Sequence, residues 1–193
     1  MKLIKRKVSS IEELKNKLSA ELEIFGNKNS SSSFDENTEI VIIGTYIPYN
    51  LDYFYFGKWN HRIYGSIIDV ARNTDFENMR KLIIKSKNKD NLLNIFIQRL
   101  KDQKIAFLDL FEHTLINPKS TSDNSIVGFT IDSKSLEKIN NSKALKRIVP
   151  ISKAAEEILR SEIGDNPKIE YHQLINGGTN KEWIELFKNI SKK

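Results

Sequence analysis

Glu39-Ile40-Val41-Ile42-Ile43-Gly44 is the stretch on which the fold turns. It is short, β-branched and apolar without a break, so it offers no wet face. A run of this kind suits a strand buried on both sides of a sheet. Three further runs are strand candidates: Lys104 to Asp109, Arg147 to Ile151, and Lys168 to Leu174. Pro150 has no N–H to give to a ladder, which places it at a strand end.

Helical patterns separate these strands. Ile63, Ile67, Ile68 and Val70 carry one, and Leu92, Leu93, Phe96, Ile97 and Leu100 carry another. Ala155, Ile158 and Leu159 mark a third, closed near Gly164. Thr179 with Glu182 forms a capping box, followed by Trp183, Leu186, Phe187 and Ile190 on one helical face. Alternating strands and helices predict an α/β fold, a three-layer αβα arrangement around a central, mostly parallel four-stranded sheet. Upstream, Ser10 with Glu13 opens a helix whose Ile11, Leu14, Leu18 and Leu22 form one stripe. Residues 27–38, with serine at every position from Ser30 to Ser33, read as a polar linker. The expectation is one domain over 1–193, with 1–37 as N-terminal helix and linker.

Composition narrows the function classes. The chain has 193 residues, 39% of them hydrophobic, enough for a core. No apolar run reaches the roughly 18–20 residues that span a bilayer, and no apolar signal core follows the basic Met1 to Lys7. A cytoplasmic protein without membrane contact is expected. Absence of cysteine excludes disulfides, thiol nucleophiles, iron–sulfur clusters and cysteine-ligated zinc. The three histidines (His61, His113, His172) show no HxxxH or HxH spacing, so neither a metal site nor a cofactor is expected. Lys and Arg number 31 against 25 Asp and Glu, which favours a polyanionic partner, although a Lys- and Asn-rich composition gives the same bias.

In open parallel sheets ligands bind beyond the carboxyl ends of the strands. The segments to watch are therefore 44–62, 110–126, 151–154 and 174–180. In the first, Gly44 and Pro48 bracket a turn whose backbone, including that of Thr45 and Tyr46, can face a ligand. It lacks the spacing of a phosphate loop. Next come Tyr53, Phe54, Tyr55, Phe56 and Trp59, five aromatics in seven positions, flanked by Lys58 and Arg62. Rings for stacking beside cations for phosphates suit a nucleic acid, and core packing is the plainer alternative. Asn117 to Ile126 surrounds the carboxylate of Asp123 with small polar residues, which suits a base, a water or an ordinary solvated loop. Gly177-Gly178-Thr179-Asn180 leads into a capped helix, whose N–H groups attract phosphate, or is simply a left-handed turn.

Taken in order, these segments resemble the uracil-DNA glycosylase superfamily, above all its mismatch-specific and hypoxanthine-type branches. The likeness runs through Gly44 to Pro48, Phe54-Tyr55-Phe56, Asn60 to Tyr64, Ser120 to Asp123, and, in position alone, Leu174 to Thr179. It covers roughly residues 38–191 and lies in order and spacing. The resemblance implies a monofunctional DNA glycosylase that flips a base from the stack and hydrolyses its N-glycosidic bond. Positive charge develops on the sugar, so a carboxylate or amide that positions water also stabilises the transition state.

Carried over residue by residue, the resemblance implies that Tyr55 or Phe54 stacks on the base. Asn60 holds its edge or orients water, and Asp123 serves the water. The backbone at Thr45 and Tyr46 lines the pocket. Lys58, Arg62, Ser120, Ser122, Gly177, Gly178, Thr179 and Asn180 contact DNA. DNA is the implied partner and a monomer the expected state.

The chain departs from the family pattern at Thr45, Tyr46 and Ile47, where many members carry Asp, Asn or Glu. The last loop also lacks the usual histidine or proline-serine, although His172 lies two residues before Leu174. Either the catalytic work rests on Asp123 and Asn60, or the site is altered for another base, or it is inactive. A non-catalytic nucleic-acid-binding module and a nucleotide or metabolite enzyme on a doubly wound fold are the alternatives.

Overall fold

A computed structural model describes residues 6–18, 21–26, 34–44, 85, 89–117, 126–150, 153–164 and 170–171. The fold is mixed α/β. Strands β3 (Ile40–Gly44), β4 (Ile105–Asp109) and β7 (Arg147–Pro150) lie side by side and parallel, with β3 in the middle. Val41 pairs with Ala106 on one side and Ile148 on the other. A two-residue strand, β8 (Glu170–Tyr171), pairs with the outer edge of β7.

Arg147 donates its N–H to the Glu39 carbonyl, so the odd-numbered amides of β7 face β3 and the even-numbered ones face β8. Pro150 closes β7 and has no N–H to give to a ladder, as its place in the sequence predicts. The pairing covers Glu170 and Tyr171 of the run expected over 168–174.

Beside the parallel sheet stands a second, mixed sheet that the sequence reading did not anticipate. Its order is β1 (Arg6–Lys7), β6 (Ile126–Ile131), β5 (Phe111–Ile116), β2 (Glu23–Gly26). β5 is antiparallel to both neighbours, while β1 runs parallel to β6. Residues 1–37 therefore supply two strands as well as a helix, and the segment that starts at 110 opens with β5.

Helix α1 (Ile11–Leu18) begins where the capping pattern places it: Ser10 Oγ accepts the Glu13 N–H at 3.3 Å. It ends at Leu18, short of Leu22, and packs on the second sheet. Helix α2 (Lys89–Asp102) spans the helical segment expected from Leu92 to Leu100, buries Leu100 and lies against β4. A left-handed Lys104, φ 58°, then turns the chain into β4. Helix α3 (Ser133–Asn141), which the sequence reading did not anticipate, connects β6 to β7. Helix α4 (Lys153–Ile163) closes at Gly164, whose φ is 68° and whose N–H reaches the Arg160 carbonyl at 2.9 Å. The helices expected from Ile63 to Val70 and after Thr179 lie outside the described residues.

One apolar core joins these parts. Val41 and Ile43 of β3, Ala106 and Leu108 of β4, and Ile148 of β7 meet Phe111, Ile116, Ile126 and Phe129 of the second sheet, with Ile139, Ala155 and Leu159 of the helices. Phe111 and Phe129 stack with centroids 4.0 Å apart. The opposite face of the parallel sheet is also dry, with Ile42, Phe107 and Val149 all buried. Burial of each such side chain stabilises by about 1.5–3 kcal/mol, against about 0–1 for an exposed ion pair such as Lys7–Glu162. Apolar burial decides this fold.

Candidate functional site

The parallel strands end abreast. Gly44 is in register with Asp109, and Ile43 with Pro150, so three chain exits share the carboxyl rim. From Gly44 the chain enters the aromatic segment, and from Pro150 it leads to α4. From Asp109 it crosses through one residue, Leu110, into the second sheet. Leu110 keeps its place in the ladder by donating its N–H to the Gly44 carbonyl at 3.1 Å. Its own carbonyl accepts the Asp132 N–H at 2.9 Å, which brings the end of β6 to the same rim.

Asp109 is the residue that sequence reasoning missed. It is 3% exposed and ends a strand that is otherwise wholly apolar. Strand alternation sets it on the face of Phe107, opposite the shared core. Burying a carboxylate costs several kcal/mol unless it is partnered, so this acid depends on the groups packed around it. The signal was available: an acid closing an apolar run at the ligand-binding edge of a parallel sheet.

The residues expected to carry chemistry lie outside the described residues: Thr45, Tyr46, Phe54, Tyr55, Lys58, Asn60, Arg62, Ser120, Ser122, Asp123, Gly177, Gly178, Thr179 and Asn180. Their points of departure are described. Thr45 follows Gly44 directly at the rim. The segment with Ser120, Ser122 and Asp123 is joined to Asn117 and Ile126, at the opposite end of the β5–β6 hairpin from Leu110. Of the watched segment 110–126, Phe111–Ile116 is strand.

The amino end of the sheet is built differently. The Glu39 carboxylate accepts from the ammonium groups of Lys104 and Lys146, which hold its pKa below the ordinary value, the Lys104 bond being the larger cause. Nearby, a cavity of about 460 Å³ is lined by Phe34, Asp35, Glu36, Lys138, Asn141, Ser142 and Lys143. Its two acids and two lysines balance, and it stands away from the rim. Among the described residues no three His, Asp or Glu side chains converge to hold a metal ion. No helix among them is long and apolar enough to cross a membrane.

A solved structure shares this fold. It is the solution NMR structure of a proposed uracil DNA glycosylase from Methanosarcina acetivorans. The two chains are 19% identical, with a TM-score of 0.53, over 88% of this chain and 99% of the other. At that identity the likeness speaks for the fold alone. No protein-family model matches the chain, and no curated protein matches it.

Proposed function

We propose that the chain is a monofunctional DNA glycosylase of the uracil-DNA glycosylase superfamily, related to its mismatch-specific and hypoxanthine-type branches. In this reading it acts in the cytoplasm as a monomer, on a three-layer α/β scaffold. It removes a damaged, deaminated or modified base by hydrolysis of the N-glycosidic bond, without metal or cofactor. The observation that carries the reading is the fold shared with the Methanosarcina protein, at whose carboxyl rim Gly44 opens the aromatic segment and Asp109 lies in register beside it.

The roles follow from the chemistry. Tyr55 or Phe54 stacks on the flipped base, and the backbone of Thr45 and Tyr46 closes the slot. Asp123 positions the attacking water and stabilises the positive sugar, and Asn60 holds the base edge or the water. Lys58, Arg62, Ser120, Ser122, Gly177, Gly178, Thr179 and Asn180 face the phosphates. Asp109, an acceptor when ionised, lies in register with Gly44 and orients a neighbouring group at the rim.

The test is direct. Duplexes carrying uracil, hypoxanthine and a panel of modified bases are incubated with the protein and assayed for released base and alkali-labile sites. Base release from at least one substrate is expected, and Asp123→Asn or Asn60→Ala should lower it by about 10²–10⁴-fold while the fold survives. Salt-sensitive DNA binding with no release from any substrate would identify a binding module instead. Stabilisation by a free nucleotide and indifference to DNA would point to a metabolite enzyme.

A further inference from the structure

Two turns at the amino end of the parallel sheet face each other across the cavity of about 460 Å³. One is the approach to β3. Asp35 Oδ1 accepts the Asn37 N–H at 3.0 Å, and the Asp35 N–H reaches Oγ1 of buried Thr38 at 2.9 Å. The other is the exit from α3. The Ser142 N–H reaches the Ile139 carbonyl at 3.4 Å, and Ser142 Oγ accepts the N–H of buried Leu145 at 3.2 Å. Each wall is closed on itself and tied to the core, so neither needs the other to hold its shape.

The charged side chains that line the space are not occupied in this way. Among the described residues, the Glu36 carboxylate, the Asn141 amide and the ammonium groups of Lys138 and Lys143 make no hydrogen bond or ion pair. Three residues further on, Glu39 binds two lysines at once. Glu36 shares one cavity with two lysines and pairs with neither. Opposite charges are thus set around the space without compensating each other.

Two further features give the space its polarity. Phe34, half-buried against the core, supplies an apolar wall. Asn141 and Ser142 bring up the carboxyl end of α3, where the last carbonyls lack helical donors and favour a cation. The volume falls within the roughly 300–1,000 Å³ of small-molecule sites. A plain anion would meet Glu36 and the helix end, and a plain cation would meet two lysines. A molecule that bears both charges and an apolar body meets a complement at each place.

We infer that this cavity is a binding site, separate from the rim, for a small zwitterion with an apolar body: a free apolar amino acid or a short apolar peptide. Its ammonium lies toward Glu36 and the end of α3, its carboxylate toward Lys138 and Lys143, and its side chain on Phe34. The inference does not depend on cleavage of a glycosidic bond at the rim.

The experiment is an NMR titration of the isotope-labelled full chain in mildly acidic buffer, followed at the backbone amides. Leucine, phenylalanine or leucyl-leucine should shift the amides of Phe34, Glu36, Asn141 and Lys143 saturably, with a Kd on the order of 0.1–10 mM that weakens in molar salt. N-acetyl-leucine lacks the cation and leucine amide lacks the anion. Each should bind about 3–10-fold more weakly, the scale of one exposed charge contact. Glu36→Gln should bring leucine down to the level of N-acetyl-leucine, and the double variant Lys138→Gln, Lys143→Gln down to that of leucine amide. These three side chains hold nothing else among the described residues, so unfolding midpoints should stay at the wild-type value. The tighter of leucine and leucyl-leucine separates the free amino acid from the peptide.

The series of ligands needs no variant. No saturable shift with any of the three zwitterions, equal binding of leucine and N-acetyl-leucine, or tighter binding of adenosine monophosphate would each overturn the inference. So would a Glu36→Gln variant that binds leucine as the wild type does.

Discussion

The Gly44 carbonyl accepts the Leu110 N–H at 3.1 Å, and this bond is the point where the parallel sheet hands the chain to the mixed one. Gly44 is the last residue of β3, and Leu110 the single link between β4 and β5. A side chain at such a junction serves both sheets at once.

Leu110 is fully buried in the shared core. Leu110→Ala is therefore expected to destabilise by about 2–5 kcal/mol, the range for a buried leucine whose neighbours cannot collapse. Denaturant unfolding followed by circular dichroism measures it. A loss well under 1 kcal/mol would mean that the junction relaxes freely and that the two sheets do not share a core there.

Asp109→Asn keeps the volume and removes the charge. An amide both donates and accepts, whereas the carboxylate only accepts, so a ligand edge matched to one is mismatched to the other. With Asp109 at the rim, base release is expected to change by at least about 10-fold, or to shift between bases, with wild-type folding retained. Wild-type kinetics in this variant would remove Asp109 from the site.

The parallel sheet was legible because its strands are buried on both faces and so read as unbroken β-branched runs, as in Ile40 to Ile43. The mixed sheet was not. Its β5, Phe111–Ile116, is bulged between Phe111 and His113 and again between Leu115 and Ile116, which destroys the two-residue period. Its β6 carries Gly128 in mid-strand, a residue that argues against a strand. Helix α3 announces itself only through Asp132 as cap and a sparse Leu136, Ile139 stripe. In α1 the stripe continued to Leu22, although the helix ends at Leu18 and β2 begins at Glu23. Of the site, the sequence located the rim through Gly44, and Asp109 passed as the end of a strand. The polar and aromatic segments were chosen by residue chemistry, and the described residues reach only their anchors.

Gly164 tests how α4 is closed. With φ at 68° and nothing within 4 Å of the place a Cβ would occupy, Gly164→Ala meets no steric obstacle beyond its own backbone. The expected cost is about 1 kcal/mol, set by the left-handed conformation alone. Thermal melts at two pH values would report it, and an equal loss at both is expected because no charge changes. A loss above about 3 kcal/mol would require a packing role that the open space around Gly164 does not provide.

Glu39 gives the fold a pH dependence of known sign. Its hydrogen bonds to Lys104, then to Lys146, lower its pKa in the folded state below the ordinary 4.5. A carboxyl depressed on folding contributes stability that is fully present above its ordinary value and fades as pH falls through the lowered one. The lysines are 55% and 66% exposed, so each pair is screened and contributes about 0–1 kcal/mol. Glu39→Gln is expected to cost most at neutral pH and low salt, and little in acid below the lowered pKa or in molar salt. Unfolding midpoints across pH and ionic strength check both axes. A penalty that persisted undiminished in acid would mean that Glu39 acts through packing, and that the lysines at the amino end of the sheet owe their placement to something other than its charge.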